Sequence, residues 1–104
     1  MTLYQLTDEA KSDLIEAIDY IAQDSESASL RWEKRMLDTF EHLAQWPGSG
    51  RVRPEFTLQP LHFWVEGNYL ILYDASSKPL TILAIFQGAQ DIAHILAQRL
   101  ESSD

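Results

Sequence analysis

At 104 residues, with 16 acidic and 8 basic side chains and a formal net charge of −8, the chain reads as a single domain, residues 1–104. The absence of cysteine excludes a disulfide framework, a thiol nucleophile and a zinc–thiolate site. The charge argues against tracking nucleic-acid phosphates with the whole surface, because five arginines and three lysines are scattered along the chain, and it favours a basic protein partner over an acidic polymer.

Thr2 to Leu6 predicts a short opening strand. Thr7 has the chemistry of a helix N-cap, and Asp8 and Glu9 put negative charge on the first helical turn. Ala10, Leu14, Ala17, Ile18, Ile21 and Ala22 then recur at helical spacing. Asp24-Ser25-Glu26-Ser27 is a polar break. A second helix follows with Ala28, Trp32, Met36, Phe40, Leu43 and Ala44 on one face. So short a break makes the two helices an antiparallel hairpin.

Pro47, Gly48 and Gly50 close the second helix in a stiff turn, with the glycines expected to permit unusual backbone angles. Arg51 and Arg53 follow directly. Leu61 to Glu66 alternates as a strand, Gly67-Asn68 is a hairpin turn and Tyr69 to Asp74 is the next strand. Ser76 to Pro79 turns the chain into Leu80 to Phe86, with Leu80, Ile82, Ala84 and Phe86 expected on one side and Leu83 and Ile85 on the other. Gly88 ends this strand. Asp91 opens a short helix with Ile92, Ile95 and Leu96 on one face.

The order predicts an α+β domain: an N-terminal strand, an antiparallel helix hairpin, a three-stranded antiparallel meander completing one sheet, and a short C-terminal helix. Because Leu80 to Phe86 is apolar on both faces, the second face is either covered by the last helix or left as an exposed apolar groove for a partner. No apolar run approaches the roughly 18 residues of a membrane span. No basic-then-apolar leader opens the chain, and a cytoplasmic location is expected.

Little in the chain points to catalysis. His42, His62 and His94 fall on separate elements and read as solvated side chains, with no metal site and no cofactor expected. No serine sits in a nucleophile elbow and no phosphate-cradling loop is present. The carboxylates of Asp13 and Glu16 read as exposed helix charges. Trp46 and Trp64 read as packing residues. Tyr69 and Tyr73 share one strand face and are open to either role. Two readings of Arg51 and Arg53 stand: local pairing with acids or with the carbonyls ending the second helix, and a contact patch for a partner.

The run Leu43-Ala44-Gln45-Trp46-Pro47-Gly48-Ser49-Gly50-Arg51-Val52-Arg53-Pro54-Glu55 resembles the bacterial toxins of the ParE branch of the RelE/ParE superfamily. The likeness extends through Tyr4 to Leu14, Ile18 to Ala22, Trp64, Gly67 to Tyr73 and Gly88 to Ile92, in that order, and covers most of the chain. It implies a RelE/ParE-like fold and the toxin half of a type II toxin–antitoxin pair. It further implies inhibition of DNA gyrase by binding, and neutralisation by a cognate ParD-like antitoxin in a hetero-oligomer. Candidate target or antitoxin contacts are Arg51, Arg53, Trp64, Tyr69, Tyr73, Ile82, Ala84 and Phe86. Two alternatives belong to the same resemblance: a ribosome-dependent mRNA endoribonuclease of the RelE branch, and a degenerate homologue that keeps antitoxin binding without toxicity. Many relatives carry an Arg where Ala84 stands and a His where Gln87 stands. The neutral residues found here argue against that chemistry.

Overall fold

A computed structural model describes residues 3–88 and 90–101. Its elements, in chain order, are β1 (Tyr4–Leu6), α1 (Asp8–Asp24), α2 (Glu26–Gln45), a 3₁₀ turn (Pro47–Ser49), β2 (Arg51–Val52), β3 (His62–Glu66), β4 (Tyr69–Asp74), β5 (Leu80–Gln87) and α3 (Ile92–Glu101). The five strands form one sheet in the order β1-β5-β4-β3-β2, with β1 parallel to β5 and every other pair antiparallel. The expected α+β order is present, with β2 added at the edge. Two residues are too few to leave a period in the sequence.

The helix hairpin turns on one residue rather than four. Ser25 is extended; its N–H donates to Ile21 O (3.1 Å) at the end of α1, and its Oγ accepts from Ala28 N–H (3.1 Å) at the start of α2. Capping both helices lets Glu26 and Ser27 join the first turn of α2, where the negative charge of Glu26 opposes the helix dipole. Thr7 caps α1 as expected, accepting from Ala10 N–H at 3.1 Å.

Two cores flank the sheet. On one face the hairpin sets Ala10, Met36, Phe40 and Leu43 against Ile71, Tyr73, Leu80, Ile82 and Ile85. On the other, α3 sets Ile92 and Leu96 against Leu61, Phe63, Leu70, Leu72, Ala84 and Phe86. Of the two outcomes read for β5, cover by the last helix is the one found over most of this face. Burying side chains of this size contributes about 1.5–3 kcal/mol each, which gives even a ten-residue helix reason to fold over the sheet.

The strict alternation expected in β5 fails. Leu72 pairs with Ala84 and the next β4 residue, Tyr73, pairs with Ile82, so Leu83 is a bulge. An extra residue shifts the side-chain period by one. Leu80 and Ile82 thus face the hairpin, while Ala84 and Phe86 face α3.

The bulge falls where β1 ends. Thr7 N–H still reaches Ile82 O (3.1 Å), but beyond it β5 has no partner strand on that side. Asp13 of α1 takes over: its Oδ2 accepts from Ile85 N–H at 3.0 Å. The same carboxylate receives both terminal nitrogens of Arg99 from α3, each at 2.9 Å. The Arg99 guanidinium also lies 5.6 Å from the Phe86 ring centre. The Asp13 side chain is only 12% exposed, which corrects its reading as a solvated helix charge. The hydrogen bonds to Asp13 hold the Arg99 pKa above its usual range, against the opposing effect of burial.

Removing this carboxylate strands a backbone N–H and a part-buried guanidinium. Asp13→Ala is expected to cost about 1–3 kcal/mol of stability, read as a lower urea midpoint with unchanged slope. Arg99→Leu should cost less, because it leaves the Ile85–Asp13 bond intact.

Candidate functional site

The arginine turn is built from the end of α2 outward. Trp46 N–H donates to His42 O (2.8 Å) as the helix stops, and Pro47–Ser49 make one 3₁₀ turn closed by Ser49 N–H to Trp46 O (3.0 Å). Tyr73, fully buried in β4, clamps this turn. Its hydroxyl donates to Pro47 O at 2.6 Å and accepts from Gly50 N–H at 2.8 Å. Burial pushes the Tyr73 pKa up, and the Gly50 N–H pulls it partly back.

Gly50 is required for space rather than for unusual angles. Its φ is −81°, and a Cβ there would lie 2.5 Å from Phe63 O and 2.7 Å from the Tyr73 hydroxyl. Gly48 faces open space, and neither residue has positive φ, which only Gly67 shows among the described residues. The close approach at Gly50 lets β2 pair with β3, Arg51 opposite Phe63 and Val52 opposite His62.

The two arginines part company. Arg53 pairs with Glu55 (Nε–Oε2 2.8 Å) and stacks 4.9 Å from the Phe56 ring centre. The hydrogen bond from Arg53 holds the Glu55 carboxyl below its usual range. Arg51 is exposed, and among the described residues its side chain has no hydrogen-bond or ion-pair partner. Neither arginine bonds the α2 carbonyls. Local pairing thus fits Arg53, and solvent exposure leaves Arg51 available to a partner.

The other candidate contacts divide by burial. Tyr73, Ile82, Ala84 and Phe86 are all 1% exposed or less, so they are core residues and not a contact surface. Tyr73 spends its hydroxyl on the turn. Ile82 lies under the hairpin, and Ala84 and Phe86 under α3. Trp64 and Tyr69 are half-buried. Trp64 Nε1 donates to Glu66 Oε1 at 3.2 Å, and Tyr69 packs 4.9 Å from Trp32. Trp46, read as packing, is 63% exposed at the C-cap of α2. His62 is half-buried beside Tyr73 rather than solvated, and its Nδ1 has no hydrogen-bond partner among the described residues.

Two of the surface grooves adjoin these residues. One, of about 570 Å³, lies on the α3 face and includes Arg53, Phe56, Val65, Leu70 and Ile92, with Val65 62% exposed. It is the residue of the apolar face that α3 leaves open. The other, of about 530 Å³, lies on the α2 side between Arg31, Lys34, Arg35 and Trp64. Along the chain the basic residues read as scattered, yet these three stand at spacing i, i+3, i+4, which places them on one helix face. Among the described residues no group of three His, Asp or Glu could hold a metal ion, and no helix is long and apolar enough to cross a membrane.

A strand, a helix hairpin, an antiparallel meander and a covering helix define a small α+β protein of the RelE/ParE-like kind. The family model described as the ParE toxin of the type II toxin–antitoxin system, parDE, matches residues 4–92, so the chain belongs to the ParE toxin family. No curated protein matches the chain in sequence.

The turn geometry gives a paired expectation. Gly50→Ala should lower the melting temperature by several degrees, since the neighbour at 2.5 Å is backbone, whereas Gly48→Ala should leave it unchanged or raise it. Tyr73→Phe strands Pro47 O and Gly50 N–H and should cost about 1–3 kcal/mol at neutral pH. With its folded pKa raised, Tyr73 contributes stability that is full below its unfolded value of about 10 and is lost as pH rises through the folded value. Burial likewise raises the pKa of Tyr4 and Tyr69. Alkaline unfolding should therefore be shallower in Tyr73→Phe but not abolished.

Proposed function

We propose that this ParE-family toxin acts by binding DNA gyrase rather than by cleaving RNA, and that a ParD-like antitoxin encoded beside it neutralises it in a hetero-oligomer. The observation that carries the target surface is the pairing of a rigid turn with an uncommitted charge. Tyr73 and Gly50 hold the turn, Arg51 projects from it with no hydrogen-bond or ion-pair partner among the described residues, though its charge acts on Glu55, and Arg53 stands at the edge of the Phe56–Val65 groove. A preorganised patch loses little conformational freedom on docking, so more of its contact energy reaches the complex. An apolar groove edged by arginine is also the composition expected of an interface core.

The same geometry supports a non-enzymatic mechanism. Ala84 is buried beneath α3 and carries no charge, and Gln87, exposed at the end of β5, is neutral. Neither supplies a cation for a phosphate in its transition state or a proton for a leaving group. The Tyr73 hydroxyl is committed to the turn. No direct contact between the free toxin and nucleic acid is part of this mechanism, in keeping with the net charge of −8.

Expressed without its antitoxin, the wild-type chain should arrest growth and inhibit supercoiling by purified gyrase. Arg51→Glu with Arg53→Glu should relieve both by roughly tenfold or more, while circular dichroism and melting temperature stay close to wild type. Full inhibition by the folded double variant would move the target surface away from the turn. Purified translating ribosomes given the toxin should show no codon-dependent mRNA cleavage. Clear cleavage would overturn the non-enzymatic reading and direct attention to Tyr69, the more exposed of the two strand tyrosines.

A further inference from the structure

Three of the chain's eight basic side chains, Arg31, Lys34 and Arg35, form one stripe on the exposed face of α2. They line the groove of about 530 Å³ that Trp64 walls on the sheet side. Trp64 is fixed there. Its Nε1 donates to Glu66 Oε1 (3.2 Å), the same oxygen accepts from Thr39 Oγ1 (3.0 Å), and the ring sits 5.5 Å from that of His42. With the polar edge of the indole committed, Trp64 offers the groove an apolar surface. Lys34 pairs with Asp38 at 3.0 Å, but the two side chains are 78% and 63% exposed, so solvent screens the pair. The guanidinium groups of Arg31 and Arg35 have no hydrogen-bond or ion-pair partner among the described residues.

We propose that this groove docks an acidic peptide segment of a partner protein, with carboxylates on Arg31 and Arg35 and an apolar side chain against Trp64. The planar forks of the two arginines match carboxylates in a bidentate way. One turn apart on α2, they suit acidic residues spaced along a single segment. Charge argues for a peptide over a nucleic acid. Asp38 also lines the groove, where Lys34 pairs with it, so Arg31 and Arg35 are the charges left for a ligand. Glu33 and Glu41 lie on the same helix and the chain as a whole is at −8, so a continuous phosphate backbone would meet repulsion on leaving the groove, whereas a short segment would not. The groove lies on the opposite face of the sheet from the Arg53–Val65 groove, so this proposal stands whether or not the gyrase reading does.

The test uses the full chain and a fluorescein-labelled peptide of alternating glutamate pairs and leucines, followed by fluorescence anisotropy. Wild type should bind it, and the Trp64 indole N–H resonance should move during the titration. Arg31→Glu with Arg35→Glu should weaken binding by roughly tenfold or more, and raised salt should weaken the wild type. The control is Lys11→Glu with Lys78→Glu, which makes the same change in net charge at two exposed positions away from the groove and should bind within about twofold of wild type. Absence of peptide binding, equal loss in the control, or tighter binding of a single-stranded oligonucleotide of the same length would overturn the proposal. So would a wild-type dimer in sedimentation that the Arg31/Arg35 variant abolishes, since the occupant would then be a second copy.

Discussion

The bulge at Leu83 is the constraint around which the rest of this fold is arranged. A sheet strand of regular period keeps one set of side chains on one face, and β5 must serve two cores. By inserting one residue it gives Leu80 and Ile82 to the helix hairpin, then Ala84 and Phe86 to α3. The switch coincides with the end of β1. From there to its end, β5 is an edge strand whose backbone needs partners that no strand supplies. Thr7 Oγ1 reaches Leu83 O, and Asp13 takes Ile85 N–H. Asp13 also fixes Arg99, so the carboxylate that finishes the sheet edge is the one that anchors α3. A charge placed there is stable because three donors converge on it and because it is not fully removed from solvent.

The arginine turn depends on the first core in a similar way. Tyr73 fills the space beneath the hairpin with its ring and reaches the surface chain with its hydroxyl. One side chain thus carries rigidity from the core to a segment that would otherwise be a loop. Gly50 makes the contact possible, since any side chain there would push β2 off β3. Exposure of Arg51 next to so constrained a backbone is the feature that separates it from Arg53, whose guanidinium is already satisfied by Glu55 and Phe56.

What the sequence made legible follows from how local each signal is. Thr7, the periodic faces of α1 and α2, the Gly67-Asn68 turn and the bounds of β4 are set by residues a few positions apart, and they fall where expected. The bulge depends on pairing between strands, so β5 read as a regular apolar strand while Ala84 and Phe86 turned to the other face. The Asp13–Arg99 bond joins residues 86 positions apart, and nothing near either marks it. Tyr73 looked like a surface candidate because an aromatic hydroxyl in a strand fits a core or a contact equally well; only the position of Pro47 and Gly50 decides. Arg51 and Arg53 both adjoin the turn in the sequence, but which of them stays uncommitted rests on where Glu55 and Phe56 fold back.

Net charge proved the coarsest guide, because it averages over surfaces that face different ways. α1 carries six carboxylates against one lysine, while the outer stripe of α2 gathers Arg31, Lys34 and Arg35. Screening limits exposed charges to about 8–10 Å at physiological salt, less than the width of this molecule at 22 Å across its thinnest axis. A partner approaching α2 therefore feels the stripe before it feels the −8 of the whole. An acidic protein can on these terms hold an acidic segment at one groove. Its overall charge therefore does not identify what binds there.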